Sequence, residues 1–248
     1  MRTTKELLRK LAQYDTPTIC NTIELFEVRP RNEGYIDYRI RAAFPDLPPM
    51  VGLASTATFR AATPPQGRDV YGQLENQLAH IASLAGPAVV VFQDLDDPPV
   101  GATFGEVMCN VYQSFGAAGL ITSGGGRDLA QVRALGFPVF IGSTICSHAY
   151  SQTVDIGRPV RVGGLVIQPG DLLHGDANGV TSIPLDITSE VADVAGEFVM
   201  AEQHLIEYAQ ASGTKLLAEI MARRRAMGDA IATLRQRVSR KNSAGAGH

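Results

Sequence analysis

The stretch Gly119-Leu120-Ile121-Thr122-Ser123-Gly124-Gly125-Gly126-Arg127-Asp128 carries a short apolar run into a glycine-rich segment, which delivers a guanidinium and a carboxylate side by side. Leu129 to Leu135 then reads as helix. A strand-to-helix turn of this kind gathers backbone N–H groups, a helix N-terminus and a fork of guanidinium donors around one small volume. The adjacent carboxylate can hold a divalent cation there, so the place suits a small anionic substrate that chelates a metal. The competing reading is a plain turn whose glycines take positive φ, with Asp128 an ordinary acid at a helix start. A nucleotide reading fails on spacing: Gly124 and Gly126 fit the first and third positions of a dinucleotide fingerprint, but Leu129 stands at the sixth, and no Gly-Lys-Ser/Thr occurs.

A second element is Gly105-Glu106-Val107-Met108, which opens a helix just before the strand that ends at Arg127-Asp128. Successive strands of a parallel unit place their exit loops on one edge, so the 101–106 and 123–128 turns are expected to be neighbours, with the Glu106 carboxylate directed toward Asp128. Two carboxylates beside one arginine make a hard-cation site with an anion clamp next to it. His174 and Asp176 form a further candidate pair for a transition metal, set against a turn in which Asp176, Asn178 and Gly179 satisfy backbone donors and His174 is a satisfied turn histidine. Cys146 and His148 are a weak thiol–imidazole candidate, because residues two apart on a strand face opposite ways. Glu202, Gln203 and His204 read as a solvated helix face that matters only if the helix reaches a neighbouring subunit.

These residues need elements to position them. Lys5–Gln13 has Leu7, Leu8 and Leu11 at helical spacing, and Asp15-Thr16-Pro17 starts a second helix through Phe26. Residues 28–50 read as loop, and Val51–Arg60 as an alternating strand. Asp69–Leu84 is expected as a helix stopped by Gly86-Pro87, followed by the buried strand Ala88–Phe92 and the acidic, proline-rich loop Asp94–Pro99. Gly105–Phe115 is the next helix and Ala118–Thr122 the next strand, together a right-handed parallel unit. From Pro138 the pattern changes to short strands at 139–141, 160–162, 165–167 and 180–183, with Gly163-Gly164 as a hairpin signal and Pro169-Gly170-Asp171 as a tight turn. Residues 188–211 form a helix capped by Gly213, Lys215–Val238 forms another, and 243–248 reads as a disordered tail.

With 248 residues, 45% of them hydrophobic, the chain can bury a sizeable core. The formal net charge of −3 supplies no basic field for nucleic acid, and Arg223-Arg224-Arg225 falls in a helical pattern as a solvated face. Cys20, Cys109 and Cys146 are odd in number and far apart, which argues against a disulfide framework or zinc knuckle and for a reducing compartment. No apolar run approaches the roughly 20 residues of a membrane span, and the first residues show no signal core, so a cytoplasmic protein without membrane or nucleic-acid partners is expected.

Gly105-Glu106-x-Met108, Gly119 and Ser123-Gly124-x-x-Arg127-Asp128 resemble the signature of the RraA-like proteins and of the related class II pyruvate aldolases, the 4-hydroxy-4-methyl-2-oxoglutarate aldolases. Gly136-Phe137-Pro138-Val139-Phe140, Pro169-Gly170-Asp171, Asp176-x-x-Gly179-Val180 and Ile183-Pro184 agree with the later part of that pattern, and the resemblance spans about residues 15 to 205. It implies an α/β fold, a swivelling β/α/β domain built as an α/β/β/α sandwich, here over 51–187. An N-terminal helical segment (1–50), C-terminal helices making oligomer contacts (188–240) and a tail (241–248) would flank it. It also implies a homotrimer or homohexamer with sites between subunits. By the same resemblance Asp128 would ligate Mg²⁺ or Mn²⁺, with Glu106 and Glu202 acting through water. Arg127 and the backbone of Gly105, Glu106, Val107 and Met108 would hold a small 2-oxo acid, so Arg127, Asp128 and Glu106 would be the catalytic set. The implied reaction is retro-aldol cleavage of a 4-hydroxy-2-oxo acid to pyruvate through a metal-stabilised enolate, with oxaloacetate decarboxylation at the same site. The chain departs from the aldolase pattern at Ser123, where an Asp is usual, and at Met200-Ala201-Glu202, where an acidic-x-acidic triplet is usual. The family also contains non-catalytic regulators that bind ribonuclease E, which is the second expectation.

Overall fold

Val89, Val90 and Val91 are all fully buried although consecutive side chains of a strand point to opposite faces. That requires a sheet covered on both sides. The computed structural model describes residues 4–65 and 72–241. Along the chain run α1 (Lys5–Leu11), α2 (Thr16–Phe26), β1 (Arg41–Ala42), β2 (Met50–Arg60), α3 (Leu74–Ser83), β3 (Ala88–Asp94), β4 (Ala102–Phe104), α4 (Glu106–Ser114) and β5 (Ala117–Gly126). They are followed by α5 (Leu129–Ala134), β6 (Val139–Thr144), β7 (Gln152–Ile156), β8 (Val160–Val162), β9 (Leu165–Ile167), β10 (Leu172–Asp176), β11 (Gly179–Ile183), α6 (Thr188–Gln210) and α7 (Leu217–Val238).

The residues fall into two compact units that do not follow chain order. One takes the described residues up to Thr16 together with Asn32–Leu185, and the other takes Pro17–Arg31 with the described residues from Asp186 on. The segment expected as 1–50 is therefore divided between them. In the first unit the strands lie in the order β1-β6-β5-β3-β2-β10-β11, with β4 paired to β5 and β7 to β2. β2, β3, β5 and β6 are parallel neighbours, flanked by antiparallel β10 and β1. Val90, Phe92, Leu120 and Val139 pack with Ile81, Cys109, Tyr112 and Val132 of the helices on one face. Val89, Val91, Ile121 and Phe140 pack with Ile36, Ile40 and the β8–β9 ribbon on the other. The fold class is thus mixed α/β around a central sheet. The second unit contains α6 and α7, and α6 buries Val191, Val194, Ala195 and Phe198 at helical spacing. Its chain end returns to α2, where the Arg240 N–H donates to the Phe26 carbonyl (2.9 Å) and Ser239 donates to Glu27 (2.6 Å).

Several expectations change. β2 is buried on both faces rather than alternating, because β3 and β10 flank it and both sides of the sheet are covered. β5 runs through Ser123-Gly124-Gly125-Gly126, so the glycines are strand rather than turn and none of them has positive φ. β1, β4, β7 and β10 are strands where none is expected; β1 is a two-residue strand inside the stretch read as loop, held by β6, and β4 and β10 are short and fully or nearly fully buried, without a legible period. The helix expected at 69–84 is α3 over Leu74–Ser83, its anticipated first residues 69–71 lying outside the described residues, as does the tail. His174 is a strand residue, fully buried, not a turn residue. Its Nε2 lies 3.2 Å from the Leu11 carbonyl and its Nδ1 3.0 Å from Thr16 Oγ1. A carbonyl only accepts, so Nε2 carries the proton and the Thr16 hydroxyl donates to Nδ1. Burial lowers the pKa of His174. Asp176 accepts the Thr16 N–H at 2.8 Å and the Asn178 N–H at 2.8 Å, the turn role expected of it.

Candidate functional site

Each glycine at the end of β5 exists because something occupies the space where a Cβ would stand. A Cβ on Gly124 would overlap the Asp94 carboxyl, one on Gly125 would meet Ile145 at 2.7 Å, and one on Gly126 would enter the Phe104 ring. The strand ends as the Arg127 N–H donates to the Phe104 carbonyl (3.2 Å). Asp128 then takes a left-handed conformation (φ 55°, ψ 37°) as N-cap of α5, a conformation Asp tolerates better than most residues.

That reversal turns the Asp128 carboxylate back onto the start of α4. Its Oδ2 accepts the Glu106 N–H at 3.0 Å, and Arg127 Nε lies 3.8 Å from the same oxygen. The two side chains are each about a third exposed. Gly105, the N-cap of α4, supplies the clearance: a Cβ there would overlap Asp128 Oδ2 and stand 3.0 Å from Arg127 Nε. With the Glu106 N–H committed to Asp128, the first turn of α4 presents the N–H groups of Val107 and Met108 as orphan donors. Such donors beside a guanidinium are chemically suited to a small carboxylate. The Cys109 thiol is pushed up to about 12, by burial first and then by the negative charge of Asp128.

The structure therefore brings Gly105, Glu106, Arg127 and Asp128 into one corner, though through the Glu106 backbone rather than its carboxylate. The Glu106 side chain is exposed, Val107 is 68% exposed, and Met108 packs partly against the core. Glu202 lies on α6, in the other unit. Cys146 is exposed and His148 Nδ1 is hydrogen-bonded to the Ala149 carbonyl at 2.7 Å, so the thiol–imidazole pair is not formed. Among the described residues no three His, Cys, Asp or Glu side chains gather as a metal cluster.

One functional-looking group escaped the sequence reading. The Ser123 hydroxyl accepts the Asp94 N–H at 2.8 Å, and the Asp94 carboxyl is packed beside Gly124 with Oδ2 buried and, among the described residues, without a hydrogen-bond partner. Burial pushes its pKa up to about 6, the Asp96 N–H pulling it down and the Asp96 charge adding to the rise. The available signal was its place at the carboxyl end of a parallel strand, where ligands bind in open α/β sheets.

The fold is a mixed α/β sheet whose arginine–aspartate turn packs on a helix N-terminus, a combination of groups chemically suited to an anion and a cation. The chain belongs to the RraA-like family (Aldolase/RraA), matched over residues 16–181. It is 37% identical over 101 residues to a Halalkalibacterium halodurans protein named "Putative 4-hydroxy-4-methyl-2-oxoglutarate aldolase", a match covering 40% of this chain and 48% of that protein, so that it spans about half of the relative's length. Among solved structures, Streptomyces coelicolor RraAS2, described as an unusual member of the RNase ES inhibitor RraA protein family, is similar at 25% identity. Its TM-score is 0.65, with 85% of this chain and 99% of that one covered. An uncharacterized Pseudomonas syringae pv. tomato protein shares the fold at 20% identity and TM-score 0.68, with 90% and 99% covered. Among the described residues no helix is long and apolar enough to cross a membrane.

Proposed function

We propose that this chain is a divalent-metal-dependent lyase that cleaves a 4-hydroxy-2-oxo acid to pyruvate by a retro-aldol reaction and decarboxylates oxaloacetate at the same site. The observation that carries this reading is the Asp128 carboxylate, tied to the Glu106 N–H at 3.0 Å and standing 3.8 Å from Arg127 Nε. Substrate carboxylate would sit on the Val107 and Met108 N–H groups, and Arg127 would supply positive potential where enolate charge develops. Asp128 would hold Mg²⁺ or Mn²⁺, with Glu106 and a neighbouring subunit's copy of the Glu202 position acting through water. One or two carboxylates plus waters and substrate oxygens suit such ions. When bound, the ion supplies Lewis-acid stabilisation of the enolate. In the cleavage, Glu106 takes the C4 hydroxyl proton through water. The C3–C4 bond breaks with its electron pair moving onto the oxo acid, the C4 fragment leaves as a carbonyl compound, and protonation at C3 gives pyruvate. Exposed Leu216 and Leu217 support assembly as a homotrimer or homohexamer.

Pyruvate release from oxaloacetate and from a 4-hydroxy-2-oxo diacid, measured with Mg²⁺ or Mn²⁺ and with EDTA, tests the reading. Turnover that EDTA abolishes and Asp128→Ala removes is expected. No turnover with either metal overturns it. The similarity to RraAS2 over 85% of this chain supports a second reading, a ribonuclease-binding regulator, which predicts binding to ribonuclease E that survives Arg127→Ala.

A further inference from the structure

A cavity of about 680 Å³ opens at the carboxyl ends of β3, β5 and β6, and neither Glu106, Arg127 nor Asp128 lines it. Its charges are divided by element. The loop after β3 brings Asp94, Asp96 and Asp97; the β8–β9 ribbon and the loop before β1 bring Arg161 and Arg39; Ser123 belongs to β5.

Both sides are fixed by bonds made within the fold. Asp96 Oδ2 accepts the N–H groups of Ala61 (2.6 Å) and Ala62 (3.0 Å), and its own N–H donates to Asp94 Oδ1 at 3.0 Å. The Arg161 N–H donates to Gln93 Oε1 at 2.7 Å, and the Asp37 N–H donates to the Gly163 carbonyl at 2.8 Å, which holds the ribbon turn against the 37–40 loop. Arg39 is committed to a two-pronged ion pair with Asp37, so its charge is largely matched. The Arg161 guanidinium has no hydrogen-bond or ion-pair partner among the described residues, and the exposed Asp97 carboxylate makes no ion pair with any of them. Burial raises the Asp94 pKa to about 6, so only below that pH are Asp96 and Asp97 left as the main acidic groups on their side.

We propose that this cavity is a second binding site, for a zwitterionic small molecule whose carboxylate pairs with Arg161 and whose ammonium pairs with Asp96 and Asp97. A ligand of single charge meets both like and unlike charges in this lining, whereas a dipolar ligand can pair with both. A 2-oxo diacid of the kind proposed for the Arg127 corner is excluded by the same logic, because one of its carboxylates would face the aspartates. A preformed cavity held by main-chain bonds has little ordering cost to meet on binding.

The experiment is a titration of the full-length protein with glycine, β-alanine, 4-aminobutyrate and 6-aminohexanoate, with butyrate and butylamine as singly charged controls. Binding is read by calorimetry and by backbone amide shifts. One chain length should bind at least about tenfold more tightly than either control, with shifts centred on Ser123, Arg161 and Gly163. Arg161→Gln and Asp97→Asn should each weaken it about tenfold or more, Arg161→Lys should retain part of it, and Asp128→Ala should leave it unchanged. The last variant separates this site from the proposed catalytic corner. Binding of no amino acid, equal binding of butyrate or butylamine, or binding that survives Arg161→Gln but is lost in Asp128→Ala overturns the proposal. The wild-type shift map keeps the test decisive even if a variant fails to fold.

Discussion

Asp94 and Asp128 stand at opposite ends of one glycine run, Asp94 beside Gly124 and Asp128 just past Gly126, and their surroundings differ in kind. Asp128 is about a third exposed, accepts a main-chain N–H and has a guanidinium nearby. Asp94 has one oxygen bonded to the Asp96 N–H and the other buried with no partner among the described residues, and burial lifts its pKa to about 6. Burial without a partner favours the protonated form of a carboxyl. One strand end therefore holds two acids in different settings, one partly exposed and bonded to a main-chain donor, the other with a buried oxygen and a raised pKa.

Substitutions can break or sharpen that contrast. Asp128→Ala should have the largest effect, a loss of about 10³-fold in kcat/KM for pyruvate release, since it removes the group proposed to hold the cation. Gly105→Ala should come next, at about 10²-fold, because the new methyl displaces Asp128 Oδ2, while φ −153° at this position suits alanine and folding should persist. Gly124→Ala presses on Asp94 instead and should appear in denaturant melts as a loss of about 1–3 kcal/mol.

Asp94→Asn tests the proton. The folded chain binds this proton more tightly than the unfolded chain, whose carboxyl titrates near the ordinary 3.8, so raising the pH from about 4 through 6 costs stability and the full penalty is present at pH 8. The gain in Tm of Asp94→Asn over the parent should therefore be larger at pH 8 than at pH 5. The smallest effect belongs to an exposed comparator: Asp46→Asn removes a surface pair with Arg133 (2.6 Å) and should leave Tm unchanged within error.

Much of the α/β order was legible because Leu120-Ile121 and Val89-Val90-Val91 are apolar runs of strand length between helical patterns. The 123–126 stretch was misread because a glycine run signals turns, whereas here the glycines answer close approach by Asp94, Ile145 and Phe104, residues at other positions in the sequence. The spacing between Gly105 and Arg127 identified the family and the corner. It did not reveal that Glu106 would meet Asp128 through its N–H, since the left-handed turn at Asp128 decides that. Asp94 was missed because its significance depends on burial, which a single acidic loop does not advertise.

The His174 contacts bear on how this chain is made. Leu11 and His174 are 163 residues apart, so the carbonyl that receives the imidazole proton is synthesised long before the imidazole. At elongation rates of about 5–20 residues per second, the interval is on the order of 10 s or more. During translation the α1 segment must therefore wait without its histidine anchor until β10 has been made. The last-made strands, rather than the first-made helix, set the moment at which that anchor closes.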